Sequence, residues 1–198
     1  MQAEHFAIEG PLLLTPAVHG DDRGHFLESW NRRRFADLLG VPLAAAPVFD
    51  QDNQSLSCRG VLRGLHYQLP PEPQGKLVRC VAGEIFDVAV DLRRSSATYG
   101  QWLGARLSGE NHQQLWVPAG FAHGFLTLSA KAQVLYKTSG FWNRDCERAI
   151  RWDDPRLGIA WPLADLETGP EPMQPLLSPK DAIAPDLATA EAAGDVFP

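Results

Sequence analysis

The hydrophobic pattern between about residue 48 and residue 150 consists of short apolar runs separated by Gly, Pro and Ser. Val88 and Val90 alternate with Ala89 and Asp91, which is the period of a β-strand. Predicted strands cover residues 76–81, 85–91, 101–107, 114–117, 124–128 and 133–139, with a turn at 82–84. Many short strands at this spacing are typical of an antiparallel sandwich or barrel. The sequence therefore predicts a mainly β fold, an antiparallel jelly-roll barrel, with its core at about 48–150.

The two flanking segments have different patterns. Within residues 6–40, an apolar run at 12–14 predicts a strand, a polar turn follows at 19–24, and residues 31–39 have helical spacing. We interpret the three consecutive arginines of this helix as a solvated face. From residue 152 to residue 198 the chain is rich in Pro, Asp and Gly, so we expect it to wrap the outside of the barrel. Its end, after Pro185, is predicted to be a short helix or a frayed tail, and the whole chain one domain with a few short helices.

Composition narrows the classes of partner. The net charge of −6 counts against broad binding to a nucleic-acid backbone. No apolar run approaches the ~20 residues that span a bilayer, and the N-terminus lacks the pattern of a signal peptide. The three cysteines lack metal-site spacing and are interpreted as thiols in a reducing compartment. We therefore expect a cytoplasmic protein that binds neither nucleic acid nor membrane.

Two segments resemble the paired motifs of the cupin superfamily but differ at the metal ligands. In Pro118-x-Gly120-x-x-His123, Pro ends a strand, Gly permits a tight bend, and His begins the next strand facing the barrel interior. The upstream motif contains His66 and Gln68, where metal-binding cupins have His-x-His followed by Glu. Two histidines alone under-coordinate a catalytic divalent ion. We therefore expect no metal and no other cofactor.

A further set of motifs resembles one particular family, in the same order along residues 6–185. These are DRGHFLE at 22–28, QDN at 51–53, RGLHYQ at 63–68, QGKLVR at 74–79, WxDP at 152–155, LGIAWP at 157–162 and LSPKD at 177–181. They resemble the dTDP-4-dehydrorhamnose 3,5-epimerase family. The resemblance implies an isomerase of dTDP-rhamnose biosynthesis that inverts C3 and C5 of dTDP-4-dehydro-6-deoxy-D-glucose, giving dTDP-4-dehydro-L-rhamnose. It also implies a homodimer in which an exchanged N-terminal strand completes the partner's site.

The implied reaction requires three kinds of chemical group. Inverting a carbon next to a ketone needs a base, a group that stabilises the enolate, and an acid on the opposite side of the sugar. His66 is the candidate base because neutral imidazole is available near pH 7, and the resemblance pairs it with Asp181. Lys76, on the predicted inner face of its strand, is the candidate enolate stabiliser, and Tyr136 matches the family's catalytic tyrosine and is the candidate acid. The alternatives are a core histidine, a solvated lysine and a packing tyrosine.

Arg63 raises a question of geometry. Strict alternation places Arg63 on the strand face opposite His66, whereas the resemblance puts both residues in the site. Gly64, between them, permits a β-bulge that would re-aim one of the two side chains. We therefore predict a bulge at this point.

The remaining candidate residues would bind the substrate. Cationic groups suit a diphosphate, amide and carboxylate groups can read the edge of a base or sugar, and aromatic rings offer stacking surfaces. The candidates are Arg23, Arg63 and Lys180 for the diphosphate, Gln51, Asn53 and Glu28 for base or sugar edges, Phe26 and Trp142 for stacking, and His123 for the wall of the site.

The sequence leaves three functions open. The first is the 3,5-epimerase. The second is an epimerase of the same fold that inverts one carbon only or uses a related nucleotide 4-keto-6-deoxy sugar, because Phe141-Trp142 stands where the family often has a tyrosine. His19 also replaces an aromatic residue often found near the nucleotide. The third is a non-enzymatic sugar-binding or metal-sensing cupin, and Gln68 in place of a second histidine counts against it.

Overall fold

The structure, a computed structural model, describes residues 1–166 and 174–198. Within these residues the chain forms two antiparallel sheets, a separate hairpin and a few short helices. The six-stranded sheet has the order β1 (Gln2–His5), β2 (Leu12–Thr15), β10 (Gln114–Val117), β7 (Lys76–Ala82), β12 (Lys131–Thr138), β5 (Gln51–Cys58). The five-stranded sheet has the order β13 (Glu147–Ala149), β6 (Leu62–Gln68), β11 (Phe121–Thr127), β8 (Glu84–Asp91), β9 (Trp102–Ser108). The hairpin is β3 (Val18–Asp21) and β4 (Gly24–Leu27), and the helices are α1 (Arg32–Leu39), α2 (Pro179–Ala182), α3 (Leu187–Ala193) and a 3₁₀ turn at Leu163–Leu166.

The two sheets pack face to face around an apolar interior. Alternate residues of the strands point inward, as the period of a strand requires. Val78 and Val134 come from the six-stranded sheet, and Ile85, Leu107 and Phe125 come from the five-stranded sheet. The mainly β, cupin-like architecture predicted from the sequence is therefore confirmed.

The outer face of each sheet is covered by a different end of the chain. Leu157, Trp161, Leu187 and Phe197 of the C-terminal segment pack on the outer face of the five-stranded sheet, and α1 packs through Phe35 on that of the six-stranded sheet. The expected wrapping is therefore present in the described part of the chain, and the Ala-rich end forms α3. Residues 167–173 of the predicted wrapping segment lie outside the described residues.

The residues at the two ends of helix α1 explain why its position could be predicted from the sequence. The Asn31 side chain caps its start by accepting hydrogen bonds from the backbone amides of Arg33 and Arg34. Gly40 ends it in the left-handed conformation, with φ of 67°. The predicted helix at 31–39 is thus confirmed within one residue.

The predicted strands are found within a few residues of their expected bounds, but β1, β5, β13 and the β3–β4 hairpin were not predicted as strands. Strand β5 begins Gln51, Asp52, Asn53, Gln54 and Ser55, and these polar residues leave no apolar alternation to detect. In the hairpin, every residue except Leu27 is exposed, and most of the predicted turn at 19–24 is strand. Hydrogen bonding alone defines these elements, so the hydrophobic pattern does not mark them.

A bulge in β6 re-aims its side chains. Strand β11 pairs His123 with His66 and Phe125 with Arg63, so β6 has one more residue than β11 between these two pairs. Arg63 and His66 consequently line the same cavity, and Leu62 and Leu65 share the outer apolar cluster. The bulge predicted at Gly64 is confirmed.

The helices of the described residues are too short or too polar to cross a bilayer.

Replacing Gly64 with alanine is expected to lower the free energy of unfolding substantially. Gly64 has φ of +129°, and an added Cβ would lie 2.6 Å from Gly124 Cα and 2.9 Å from the His123 carbonyl oxygen. We expect Gly64→Ala to cost about 3 kcal/mol or more, combining backbone strain with backbone overlap. Thermal unfolding followed by circular dichroism should show a melting temperature lower by about 6–12 °C.

Gly24→Ala is the matched control for this prediction. Gly24 has the same φ of +129°, but nothing lies within 4 Å of its added Cβ. This variant therefore carries only the backbone strain, about 1–3 kcal/mol. Equal melting temperatures for the two variants would contradict the assignment of Gly64 to a closely packed bulge.

Candidate active site

A cleft opens between the two sheets at one end of the barrel. Its main cavity has a volume of about 510 Å³, and residues 176–178 and Asp181 of the C-terminal segment form part of its wall. A smaller lobe of about 130 Å³ adjoins it, and both hollows are lined by Asn53, His66, Lys76 and Tyr136. We call the two hollows together the cleft.

His66 and Asp181 form a short hydrogen bond at the wall of the cleft. His66 Nε2 lies 2.5 Å from Asp181 Oδ1, and the two side chains are 28% and 3% exposed. Burial raises the pKa of Asp181, but hydrogen bonds from His66, Ser178 and the Gly64 backbone outweigh it, so the pKa lies below its usual value. An ionised Asp181 fixes the proton of the neutral ring on Nε2. The lone pair is then on Nδ1, where it can accept a proton.

Helix α2 holds Asp181 in this position. Its N-cap is Ser178, whose Oγ accepts a hydrogen bond from the Asp181 amide at 3.1 Å, and Pro179 occupies the first turn. The Leu176 carbonyl accepts a hydrogen bond from the Leu62 amide, and the Leu176 amide donates one to the Gly60 carbonyl. The C-terminal segment is therefore anchored to the start of β6 at Leu176, five residues before Asp181.

Lys76 stands at the start of β7, on the sheet opposite His66. Its Nζ donates a hydrogen bond to the His66 carbonyl oxygen at 3.2 Å. Burial lowers the pKa of Lys76 to about 8, and the negative charges of Asp87 and Glu147 oppose this effect. Lys76 is therefore an ammonium near neutral pH and loses its proton unusually easily for a lysine.

Tyr136 lies on β12, also across the cleft from His66. It pairs in register with Val78 on one side and Asn53 on the other, and packs against the interior apolar cluster. Burial raises the pKa of Tyr136, partly opposed by the charge of Arg63. Its phenol therefore keeps its proton at neutral pH and is available as a donor.

His123 and Arg63 complete the wall of the main cavity. His123 is buried on β11, and its Nε2 lies 2.8 Å from Oδ1 of Asp87 on β8. Burial lowers the pKa of His123 even though Asp87 opposes it. Arg63 Nε donates a hydrogen bond to Ser57 Oγ at 3.1 Å, which leaves the rest of its guanidinium group at the cavity.

The smaller lobe is lined by Gln51 and Trp142, which were predicted, and by Glu147, which was not. Gln51 links two of the predicted residues, because its Nε2 donates to Asn53 Oδ1 at 2.9 Å and its Oε1 accepts from the Trp142 amide at 3.0 Å. Glu147 forms an ion pair with Lys180 at 2.7 Å. Burial raises the pKa of Glu147, but Lys180, Trp142 and His66 together lower it below its usual value.

Two residues were not predicted from the sequence: Asp87, which is bonded to His123 behind the wall of the cleft, and Glu147, which lines the smaller lobe. The sequence did contain a signal for Asp87, because a carboxylate inside an apolar strand is unusual unless it is paired. Glu147 had none, because it lies in a three-residue strand within a polar stretch.

Three predicted residues lie away from the cleft of their own chain. Arg23 and Phe26 are on the β3–β4 hairpin, where the Arg23 side chain is 89% exposed and paired with Asp21, and Phe26 is 72% exposed. Glu28 follows the hairpin, accepts a hydrogen bond from Asn31 and pairs with Arg34 at 3.4 Å. The other ten predicted residues line the cleft or, for Lys180, pair with a residue that does.

Gln68, which stands in place of the second cupin histidine, stabilises the local structure through hydrogen bonds. Gln68 is buried, its Nε2 donates to the carbonyl oxygens of Glu72 and Phe141, and its Oε1 accepts from the Asn143 amide. The described residues contain no group of three or more His, Cys, Asp and Glu side chains arranged to hold a metal ion.

Comparison with known proteins gives a match over almost the whole chain. The family model described as dTDP-4-dehydrorhamnose 3,5-epimerase matches residues 5–189. The dTDP-4-dehydrorhamnose 3,5-epimerase of Pseudomonas aeruginosa is 54% identical over 198 residues, which is 100% of both chains. The dTDP-4-dehydrorhamnose 3-epimerase of Streptomyces niveus is 41% identical and covers 98% of this chain and 87% of its own.

A solved structure also matches almost the whole chain. The dTDP-6-deoxy-D-glucose-3,5-epimerase of Legionella pneumophila, crystallised in complex with dTDP-4-keto-L-rhamnose, has a TM-score of 0.87 and 46% sequence identity. The match covers 97% of this chain and 95% of that chain.

We predict that Lys76 titrates near pH 8 in the folded protein, because its ammonium group is partly desolvated at the cleft. The chain has only four lysines, Lys76, Lys131, Lys137 and Lys180. Reductive methylation with ¹³C-formaldehyde therefore gives a simple NMR spectrum in which each dimethyl-lysine signal can be followed against pH. Lys76→Arg assigns the signal by removing it. A Lys76 signal that titrates only above pH 10 would contradict the prediction.

Proposed function

The chain belongs to the dTDP-4-dehydrorhamnose 3,5-epimerase family and is an isomerase, and on this basis we propose how its cleft inverts two carbons of a nucleotide sugar. The proposed substrate is dTDP-4-dehydro-6-deoxy-D-glucose, and the product is dTDP-4-dehydro-L-rhamnose. Both inverted carbons, C3 and C5, adjoin the C4 ketone, so one enolate chemistry serves both.

The observation that supports this proposal is the position of His66 and Tyr136 on opposite sheets. His66 belongs to β6 of the five-stranded sheet, and Tyr136 to β12 of the six-stranded sheet, with the main cavity between them. Inversion requires removal of a proton from one face of a carbon and delivery of a proton to the other face. A sugar ring lying in this cavity would present one face to each residue.

In the proposed first half of each inversion, His66 Nδ1 takes the proton from the carbon next to the ketone. The electron pair of the broken C–H bond moves into the ring, and negative charge develops on the ketone oxygen. Ionised Asp181 stabilises the imidazolium, and the Lys76 ammonium donates a hydrogen bond to the enolate oxygen. Oriented general-base catalysis contributes about 10²–10⁴ in rate.

In the second half, the Tyr136 phenol gives its proton to the opposite face of the same carbon. The C–H bond re-forms with inverted configuration, and the electron pair of the enolate returns from oxygen to carbon. The phenolate then regains a proton from solvent, and the imidazolium of His66 releases one. The same cycle at the second carbon completes the reaction, and every proton is accounted for.

The cationic and polar residues around this centre are proposed to bind the rest of the substrate. Arg63 lies at the main cavity beside His66, which suits a diphosphate attached to the sugar. Lys180 pairs with Glu147 at the smaller lobe and is proposed to turn to a phosphate oxygen when substrate binds. Gln51, Asn53 and Trp142 are proposed to contact the edges of the sugar or the base.

A homodimer would give Arg23, Phe26 and Glu28 a place in the mechanism. Arg23 and Phe26 lie on the β3–β4 hairpin, and Glu28 follows it. None of the three lines the cleft of its own chain, and Phe26 is too exposed to belong to a monomer's core. We therefore propose that the hairpin reaches the cleft of a second copy, where Arg23 contacts the diphosphate and Phe26 stacks on the base.

Incubation with dTDP-4-dehydro-6-deoxy-D-glucose in heavy water tests the proposed function. We expect NMR to show deuterium at both C3 and C5 of the product. His66→Asn should slow exchange at both carbons by about 10²-fold or more. Tyr136→Phe should still exchange deuterium from the His66 face, without inversion. Exchange at one carbon alone would point to the single-carbon epimerase, and binding without any exchange would overturn the acid–base assignment.

Mixing two inactive variants tests the shared site. We expect Arg23→Ala and His66→Asn each to be nearly inactive as separate homodimers. After mixing and exchange of subunits, half of the dimers are mixed, and each of these has one intact site, so activity should return to about a quarter of the wild-type level. Arg63→Ala mixed with His66→Asn is the control, because both residues belong to the same cleft and no intact site can form. Equal activity for both mixtures would contradict the shared site.

A further inference from the structure

We propose that Asp87 is a positioning residue for the reaction, holding His123 in place and acting as the counter-charge that keeps Lys76 an ammonium in the cleft. This inference rests on the proposed function. Asp87 does not line the main cavity, so it would act through its two neighbours and not on the substrate.

Asp87 occupies a place where packing would favour an apolar residue. It lies on β8, between Phe125 of β11 and Ala105 of β9, and its side chain is fully buried. Both neighbours belong to the interior apolar cluster, as do Ile85 and Ala89 on the same face of β8. A carboxylate in such a place is costly unless nearby groups compensate its charge.

Only one of the two oxygens of the Asp87 carboxylate accepts a hydrogen bond. Oδ1 is bonded to His123 Nε2, whereas Oδ2 has no hydrogen-bond partner among the described residues. Asp91, four residues further along β8, is the contrast: it is equally buried, but Arg93, Ser96 and Thr98 bond its two oxygens. Asp91 therefore serves the local structure, and Asp87 needs another source of positive charge.

Lys76 is the cation available to Asp87. Lys76 Nζ donates to the His66 carbonyl oxygen, His66 pairs with His123 across β6 and β11, and His123 is bonded to Asp87, so contacts connect the two charges. The negative charges of Asp87 and Glu147 favour the ammonium form of Lys76, and the positive charge of Lys180 opposes it. Glu147 is already paired with Lys180, and Asp181 with His66. Asp87 is therefore the carboxylate at this site whose buried Oδ2 has no hydrogen-bond partner among the described residues.

The charge of Lys76 matters because a neutral amine stabilises an enolate far less than an ammonium does. Burial has already brought the pKa of Lys76 down to about 8, and Asp87 is the largest influence opposing that change. Without the negative charge of Asp87, the ammonium would lose its proton at a lower pH. The fraction of active enzyme would then fall near neutral pH.

Asp87→Asn is the first test, because it keeps the shape and the acceptor for His123 while removing the charge. We expect the Lys76 midpoint in the ¹³C-methyl titration to fall by about one pH unit or more, and the alkaline limb of the kcat profile to move by the same amount. Activity at pH 8 should fall about fivefold or more and recover in part as the pH is lowered, with little change in KM. Asp87→Glu, which keeps the charge, should restore much of the wild-type profile.

Asp91→Asn is the matched control, a buried carboxylate of the same strand that contacts no residue of the cleft. It should leave both the Lys76 midpoint and the alkaline limb unchanged. If Asp87→Asn does not fold, Asp87→Ser removes the same charge without leaving an amide donor unpaired. A uniform loss of activity at every pH, with an unmoved Lys76 midpoint, would overturn the inference and leave Asp87 a structural residue.

These measurements can reject either of the two proposals without rejecting the other. The Lys76 titration needs no substrate, so it tests the role of Asp87 even if the wild-type protein does not exchange deuterium into the nucleotide sugar. Conversely, an active wild type with an unmoved midpoint in Asp87→Asn would sustain the proposed function and reject this inference.

Discussion

The hydrogen bond between His66 and Asp181 is the contact on which the rest of the cleft depends. It joins residues that are 115 positions apart, and it requires a carboxylate to stay ionised while almost fully buried. Hydrogen bonds from Ser178 and from the Gly64 backbone make that possible. Gly64 is also the residue of the bulge, so the same short stretch of β6 aims Arg63 and His66 and hydrogen-bonds Asp181, the distant partner of His66.

The two sheets contribute different residues to the wall of the cleft. The five-stranded sheet supplies His66, Arg63 and His123, and the six-stranded sheet supplies Lys76 and Tyr136. Because facing sheets pack about 10 Å apart, groups on opposite walls can reach the two faces of one sugar ring. The apolar cluster beneath the cleft then lowers the pKa of Lys76 and His123 and raises that of Tyr136 by desolvation.

The sequence predicted elements whose apolar pattern or capping residues are unambiguous, and it predicted residues that carry a family motif. Helix α1 and strand β7 fall into the first group, and His66 and Asp181 into the second. The hairpin and β5 escaped prediction because backbone hydrogen bonds, which leave no hydrophobic signature, hold them together. Glu147 escaped because its partner, Lys180, becomes adjacent only when the C-terminal segment folds back.

The anchoring of the C-terminal segment has a consequence for the order in which the protein matures. All of the barrel strands are complete by Ala149, but the partner of His66 is at position 181, and Phe197 is still needed for backbone bonds with Leu92 and Arg94. During synthesis, residues up to 149 are made before Asp181 and Phe197. A nascent chain can therefore complete its sheets before it can form the hydrogen bond between His66 and Asp181.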